Sequence, residues 1–148
     1  MFNLDLVLAV LHHLIVFTLF AVVVVEFVNV RSGMDAEAVR RIAAIDAWYG
    51  ILAGLIVAVG FSRAIFAAKG WDYYSHNLFF WAKIGTFVVI GLLSIPPTLA
   101  YLKWRKAGGT PANAAVASVR RYLWTEVLLF APLLAFAASM ARGYGEFG

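Results

Sequence analysis

The sequence predicts an all-α integral membrane protein, an antiparallel four-helix transmembrane bundle. Three observations support this prediction. The 148 residues are 64% hydrophobic and only 14% charged, the mean hydropathy is +0.86, and four apolar runs each approach the roughly 20 residues that a transmembrane helix needs. The sequence contains no cysteine, which removes disulfides, thiolate metal ligands and thiol catalysis from consideration.

The predicted spans form a single domain over residues 1–148, at about 4–28, 43–67, 77–101 and 119–141. No basic residue precedes the first span, and its apolar run is longer than that of a typical signal peptide, so we interpret it as a retained helix. Gly33 predicts a turn in the first connection, followed by a helix start at the membrane interface. Gly70 breaks the second connection. Residues 108–111 (Gly-Gly-Thr-Pro) mark the third as a loop, and Pro96-Pro97 predicts a kink or an end in the third span.

Basic residues predict the orientation of the bundle. Most of them flank the first and third connections: Arg31, Arg40, Arg41, Lys103, Arg105, Lys106, Arg120 and Arg121. Cytoplasmic loops are enriched in Lys and Arg, so we predict a multi-pass protein of the bacterial inner membrane with both termini on the periplasmic side. Because these charges lie at the ends of apolar runs, they indicate topology and not nucleic-acid binding.

Two adjacent histidines, His12 and His13, lie within the first apolar run. An imidazole in the bilayer is unfavourable unless it faces a partner, a cavity or a metal. Successive residues of a helix point about 100° apart, and His12 shares a stripe with Asp5 and Glu26. We therefore predict that His12 faces the bundle. His13 falls on an aromatic strip with Phe17, which meets lipid, a second subunit or the flank of a bound ring.

Charged residues nearer the termini form a predicted outer polar layer. A rise of about 1.5 Å per residue places His12 and Lys83 in the outer half of the bilayer, with Arg63, His76 and Arg142 nearer the surface. A haem b needs an axial imidazole, a flat apolar slot and cations near its propionates. This layer offers iron ligation by His12, and cations for the propionates at Lys83, Arg63 and Arg142.

The sixth coordination position of such a haem stays open from sequence. His13 diverges from His12 on a regular helix and cannot share its iron. The iron is therefore five-coordinate, or Lys83, His76 or a second subunit completes it. A simpler alternative also stays open, in which His12 is a hydrogen-bonded core histidine and the arginines only extend towards the interface.

A second predicted polar layer lies towards the cytoplasmic side and contains Glu26, Asp46 and Glu126. Buried charges persist in lipid mainly by pairing. Four arginines lie close to these acids in sequence, so we interpret the layer as structural ion pairs that hold the helix ends, the arginines being Arg40, Arg41, Arg120 and Arg121.

Several segments resemble a family of bacterial membrane proteins catalogued as a domain of unknown function. They are residues 10–14 (Val-Leu-His-His-Leu) with Glu26, and residues 45–50, 69–74, 77–83, 92–98, 104–105 and 140–143. More distantly, Leu11-His12, Trp81-Ala82-Lys83 and Arg121 to Glu126 resemble the HemJ-type membrane protoporphyrinogen oxidases and, more loosely, CopD-like copper-resistance membrane proteins. The HemJ resemblance implies a haem b ligand at His12 and functional roles for Lys83 and Glu126.

Three functions follow as hypotheses. The first is a haem b-binding membrane redox protein, which could act as an oxidoreductase, passing electrons between a quinone or redox partner protein and an outer acceptor. The second is copper handling or small-solute transport, with His12, His13 and Met140 contacting a metal; scattered methionines and absent cysteines disfavour Cu(I). The third is a structural accessory subunit of a membrane complex. In each case we expect lipid contact and a homo-oligomer.

Overall fold

The computed structural model of the chain describes residues 3–66 and 69–147. Within these ranges the chain forms five helices and no strand: α1 Leu4–Asn29, α2 Ala36–Phe66, α3 Gly70–Ser75, α4 Leu78–Ala107 and α5 Asn113–Ala141. Four of them, α1, α2, α4 and α5, are long and apolar enough to cross a membrane. The predicted all-α membrane fold is confirmed. The predicted end of the second span, residue 67, lies outside the described residues.

Local capping explains where the helices begin and end. Gly33 adopts a left-handed φ of 81° in the turn after α1. The carboxylate of Asp35 then accepts a hydrogen bond from the Ala38 N–H at 2.8 Å, which satisfies one of the free donors at the start of α2. The helix therefore begins well before the apolar run, and α2 has 31 residues. At about 1.5 Å per residue it exceeds the hydrocarbon thickness.

The two adjacent prolines, Pro96 and Pro97, lie inside α4, which continues to Ala107. Of the two outcomes expected from sequence, the helix end does not occur. Proline removes a backbone donor and leaves a carbonyl of the preceding turn free. Neighbouring helices and polar side chains make such a break tolerable within a membrane protein.

The four long helices form a ring in which α1 contacts α2 and α5, and α4 also contacts α2 and α5. In the described residues, α1 and α4 have no Cα atoms within 8 Å of each other, and neither do α2 and α5. These two pairs are therefore the diagonals of the ring. Arg63 near the end of α2 approaches Asp5 at the start of α1, a contact consistent with helices that run in opposite directions.

The start of α4 is held by the segment after α5. Asn77 is fully buried, and its side-chain oxygen accepts hydrogen bonds from the N–H groups of Phe79 and Phe80 at 3.0 and 3.2 Å. Its amide donates to the Tyr144 carbonyl at 3.0 Å. Gly145 accepts from the N–H of the residue after Asn77 at 2.7 Å. One side chain thus caps α4 and attaches the chain end to it.

We expect Asn77→Ala to lower the free energy of unfolding by about 2 kcal/mol, because it removes a helix cap and also the hydrogen bond from its buried amide to the Tyr144 carbonyl. Thermal unfolding in detergent, followed by circular dichroism, measures the change. Asn3→Ala is the matched control, since Asn3 makes the same type of cap for α1 but is exposed. Equal destabilisation by the two substitutions would contradict the role assigned to the buried amide.

Candidate functional site

An apolar groove opens between α1, α2, α4 and α5 in the half of the bundle that contains the start of α1 and the end of α5. The space between its walls measures about 910 Å³, including the part that is open to the surroundings. Aliphatic and aromatic side chains form most of the lining. Its polar side chains are His12, His13 and Lys83. A groove of this kind suits a largely apolar ligand with few polar groups.

The imidazole of His12 is half-buried in this groove. Its Nδ1 atom is inaccessible and has no hydrogen-bond partner among the described residues. The ring faces α2 at Gly60, where an added Cβ would lie 3.5 Å from Cε1 of His12. The absence of a side chain at Gly60 thus leaves room beside the ring. A buried nitrogen without a partner is unusual in a folded protein, so a ligand of this ring has to be considered.

Lys83 lines the same groove from α4 and is also half-buried. Its ammonium nitrogen lies 5.5 Å from the centre of the Phe80 ring. In the described part of the chain, no carboxylate oxygen lies within 4.0 Å of Lys83. Both Lys83 and Arg63 are within electrostatic range of His12. Because Arg63 lies 3.9 Å from Asp5, its charge is partly balanced, whereas that of Lys83 is not.

The other predicted haem residues are less closely grouped. His13 lines the groove but is exposed, with Nδ1 2.6 Å from the Ala9 carbonyl oxygen. The ring planes of His12 and His13 are nearly perpendicular, at 81°. His76 is exposed after α3, where its Nδ1 lies 2.9 Å from the Asp72 carbonyl oxygen. Neither His76 nor Arg142 lines the groove.

The three acids of the other layer form a carboxyl cluster, defined as Glu26, Asp46 and Glu126. Their exposed fractions are 2%, 8% and 1%, and both Asp46 and Glu126 lie within electrostatic range of Glu26. The three residues come from α1, α2 and α5. Helical phase and depth in the sequence had placed them in one layer, and the structure brings them together.

The prediction that arginines form ion pairs with these acids is wrong. In residues 3–66 and 69–147, the ion pairs within 4.0 Å are Arg41–Glu37, Arg63–Asp5 and His76–Asp72. Arg120 instead donates to the carbonyl oxygens of Phe27, at 2.7 Å, and of Val30. The physical reason is that the last carbonyl groups of α1 have no partners within the helix. The guanidinium satisfies them and does not reach the carboxyl cluster.

The hydrogen-bond donors to the carboxyl cluster are hydroxyl groups, for which the sequence predicted no role. Tyr101 donates to Glu26 at 3.1 Å, Tyr49 donates to Glu126 at 3.3 Å, and Thr98 donates to Asp46 at 2.9 Å. The two tyrosine bonds cross the ring, joining α4 to α1 and α2 to α5. The sequence indicates these hydroxyl groups only by spacing. Asp46 lies three residues before Tyr49, and Thr98 lies three residues before Tyr101, so each pair shares one face of its helix.

A second cavity lies between α2 and α4, beside the carboxyl cluster. It encloses about 560 Å³, again including open space, and its polar lining comes from Asp46, Tyr49, Ser94 and Thr98. Phe87 borders both this cavity and the groove. The two polar layers are thus separated by an aromatic ring, and only the layer with the acids borders the second cavity.

Four apolar helices around a buried polar centre define a small multi-pass membrane protein. The chain belongs to the family described as "Predicted membrane protein (DUF2214)", which matches residues 4–145. This confirms the first resemblance found in the sequence. Comparisons with curated proteins and with solved structures each gave no match. The more distant likeness to HemJ-type and CopD-like proteins stays a prediction.

We expect Tyr101→Phe to lower the free energy of unfolding by about 1 to 3 kcal/mol, because it leaves a buried carboxyl oxygen without its donor. Tyr49→Phe should have an effect of the same size for the same reason. Urea or thermal unfolding in detergent measures both. The control is Tyr144→Phe, whose ring is 63% exposed and should change stability little. Unchanged stability in both buried variants would show that the bonds across the ring contribute nothing.

Proposed function

We propose that the protein is a haem b-binding membrane redox protein and that His12 is an axial ligand of the iron. The observation that carries the proposal is the geometry of the groove. A half-buried imidazole with an unpartnered nitrogen shares an apolar groove with an ammonium group that has no carboxylate partner in the described residues. An axial imidazole, an apolar slot and a cation for a propionate are the protein's part of a b-type haem site.

The residues present fit the group. Aromatic rings from three helices, at Phe61, Phe80 and Phe130, belong to the lining and suit the face of a porphyrin. Among the described residues, no group of three or more His, Cys, Asp and Glu side chains could hold a metal ion. A haem needs only one such protein ligand, because the porphyrin supplies four nitrogens. The copper hypothesis needs several and has no comparable observation in its favour.

The chain's own residues have distinct parts in this proposal. His12 would hold the iron, and Lys83 would pair with a propionate and thereby gain an anionic partner. The apolar walls exclude water, and a haem so held supplies one-electron transfer. Exposed apolar residues such as Phe17 and Phe61 line the groove, and a quinone or a partner protein at its opening would donate or accept the electron. We place this site on the periplasmic side of a bacterial inner membrane, in a chain that forms homo-oligomers.

We expect the detergent-purified wild type from haem-replete cells to show a Soret band and, after reduction with dithionite, the bands of a b-type haem. His12→Ala should lose the Soret band, because the iron loses its ligand, and added free imidazole should restore part of it. An absorption spectrum measures this. A colourless wild type would overturn the haem proposal.

Two other histidine substitutions are the controls for this spectrum. His13→Ala and His76→Ala should keep the Soret band, because the ring of His13 is exposed and His76 does not line the groove. Loss of the band in His13→Ala, with the band kept in His12→Ala, would transfer the ligand role to His13. Gel filtration of each variant distinguishes loss of ligand from loss of fold.

We also expect Gly60→Val to reduce haem content at least severalfold while leaving His12 in place. The new side chain would occupy the space beside the imidazole, where even a Cβ comes within 3.5 Å of the ring. Haem per protein, measured by the pyridine haemochrome spectrum, gives the result. Gly54→Val is the matched control on the same helix, since no atom lies within 4 Å of a Cβ added there. Equal haem content in both variants would contradict this position for the ligand.

A further inference from the structure

We propose that the carboxyl cluster is a proton-binding site within the membrane, in which one of the carboxyl groups of Glu26, Asp46 and Glu126 holds an exchangeable proton. The cavity beside Asp46 is the route by which this proton enters and leaves. The proposal goes beyond the haem site and does not depend on it. Its ligand is the proton, and its acceptor is a carboxylate oxygen.

The first step is the balance of charge. Three carboxyl groups from three helices lie within electrostatic range of one another. Within the described ranges, no Lys, Arg or His nitrogen lies within 4.0 Å of any of them. Repulsion between like charges is strong where the dielectric constant is low. A proton on one carboxylate removes one of the negative charges without any movement of the helices.

Second, two carboxyl oxygen atoms of the cluster lack a hydrogen-bond partner in the described part of the chain. The Oε1 atoms of Glu26 and Glu126 are buried and have no hydrogen-bond partner among the described residues. Both residues are at least nine-tenths buried, and each lies within electrostatic range of Asp46. An ionised carboxylate only accepts hydrogen bonds, whereas a protonated one also donates. A proton on either oxygen would turn an unpartnered acceptor into a donor and remove one of the negative charges of the cluster.

The groups that face the cluster come from every helix around it. The facing groups are Glu26 from α1, Asp46 and Tyr49 from α2, Tyr101 and the neutral Thr98 from α4, and Glu126 from α5. Arg120 on α5 donates to the carbonyl oxygens at the end of α1 and not to the acids. Within residues 3–66 and 69–147, no basic nitrogen lies within 4.0 Å of the three acids, and the side-chain donors to them are hydroxyl groups.

The third step concerns the identity of the bound cation. A metal ion needs several ligands that converge on one point, and no such group of three acids or histidines exists in the described residues. A proton needs a single oxygen. The cavity provides access, because Asp46 borders it together with two hydroxyl side chains, Ser94 and Thr98. Hydroxyl and carboxyl groups are the partners that hold water in such a space.

The experiment is infrared spectroscopy of the full-length protein in liposomes, as difference spectra between acidic and alkaline buffers in H2O and in D2O. We expect a C=O stretching band of a protonated carboxyl group that persists at neutral pH and shifts in D2O. One of the variants Glu26→Gln, Asp46→Asn and Glu126→Gln should remove it. The exposed acid Glu37, already paired with Arg41, gives the control Glu37→Gln, which should leave the band unchanged.

Conservative variants keep the test decisive if the acid variants fail to fold. Tyr101→Phe and Tyr49→Phe retain all three carboxyl groups and remove one donor each, so at least one of them should shift the band to higher frequency. No protonated carboxyl band at neutral pH in the wild type would overturn the proposal. A band that none of the folded variants changes would also overturn it, as would stability that depends on Na⁺ in place of such a band. A colourless protein that shows the band would sink the haem proposal and leave this one standing.

Discussion

Satisfying buried polar groups is the constraint on which this bundle depends. A carboxyl group in an apolar interior is strongly unfavourable without a hydrogen-bond donor, and lipid supplies none. Tyr101 and Tyr49 supply donors to Glu26 and Glu126 from the opposite corners of the ring. Each bond therefore fixes the distance across a diagonal, where no backbone contact exists in the described residues. Apolar packing between neighbouring helices alone would leave these two distances free.

The facing side chains of α1 and α4, one diagonal of the ring, differ between the two polar layers. Near the connections, α1 and α4 face each other with an acceptor and a donor, Glu26 and Tyr101. Nearer the termini, the facing polar groups are His12 and Lys83, which are both basic. In the described residues Nδ1 of His12 has no hydrogen-bond partner, so it forms no polar bond that would draw the helices together there. The groove lies at this level, whereas the Glu26–Tyr101 bond joins the same two helices at the other.

Hydropathy was sufficient to predict the four long helices, because a run of about 20 apolar residues is typical of a transmembrane helix. Helical phase was sufficient to place Glu26 and His12 on an inward stripe, since it concerns one helix at a time. The predicted ion pairs with the three acids were wrong because the pairing of two side chains depends on the axial offset between their helices. Arg120 precedes Glu126 by less than two helical turns in sequence, yet it reaches the carbonyl groups of α1. Tyr101 was missed because a tyrosine near a helix end is also typical of the membrane interface.

Separation along the membrane normal determines how the two polar layers can work. His12 and Glu26 lie 14 residues apart on α1, which corresponds to about 21 Å of helix. Between them the same stripe carries Leu19 and Val23, both almost fully buried. Leu19 also lines the groove, and Phe87 borders both the groove and the second cavity, so a thin layer of apolar side chains separates the two spaces. Any coupling between a ligand at His12 and a proton at the carboxyl cluster would therefore act through the charge of the sites and the packing of the helices between them.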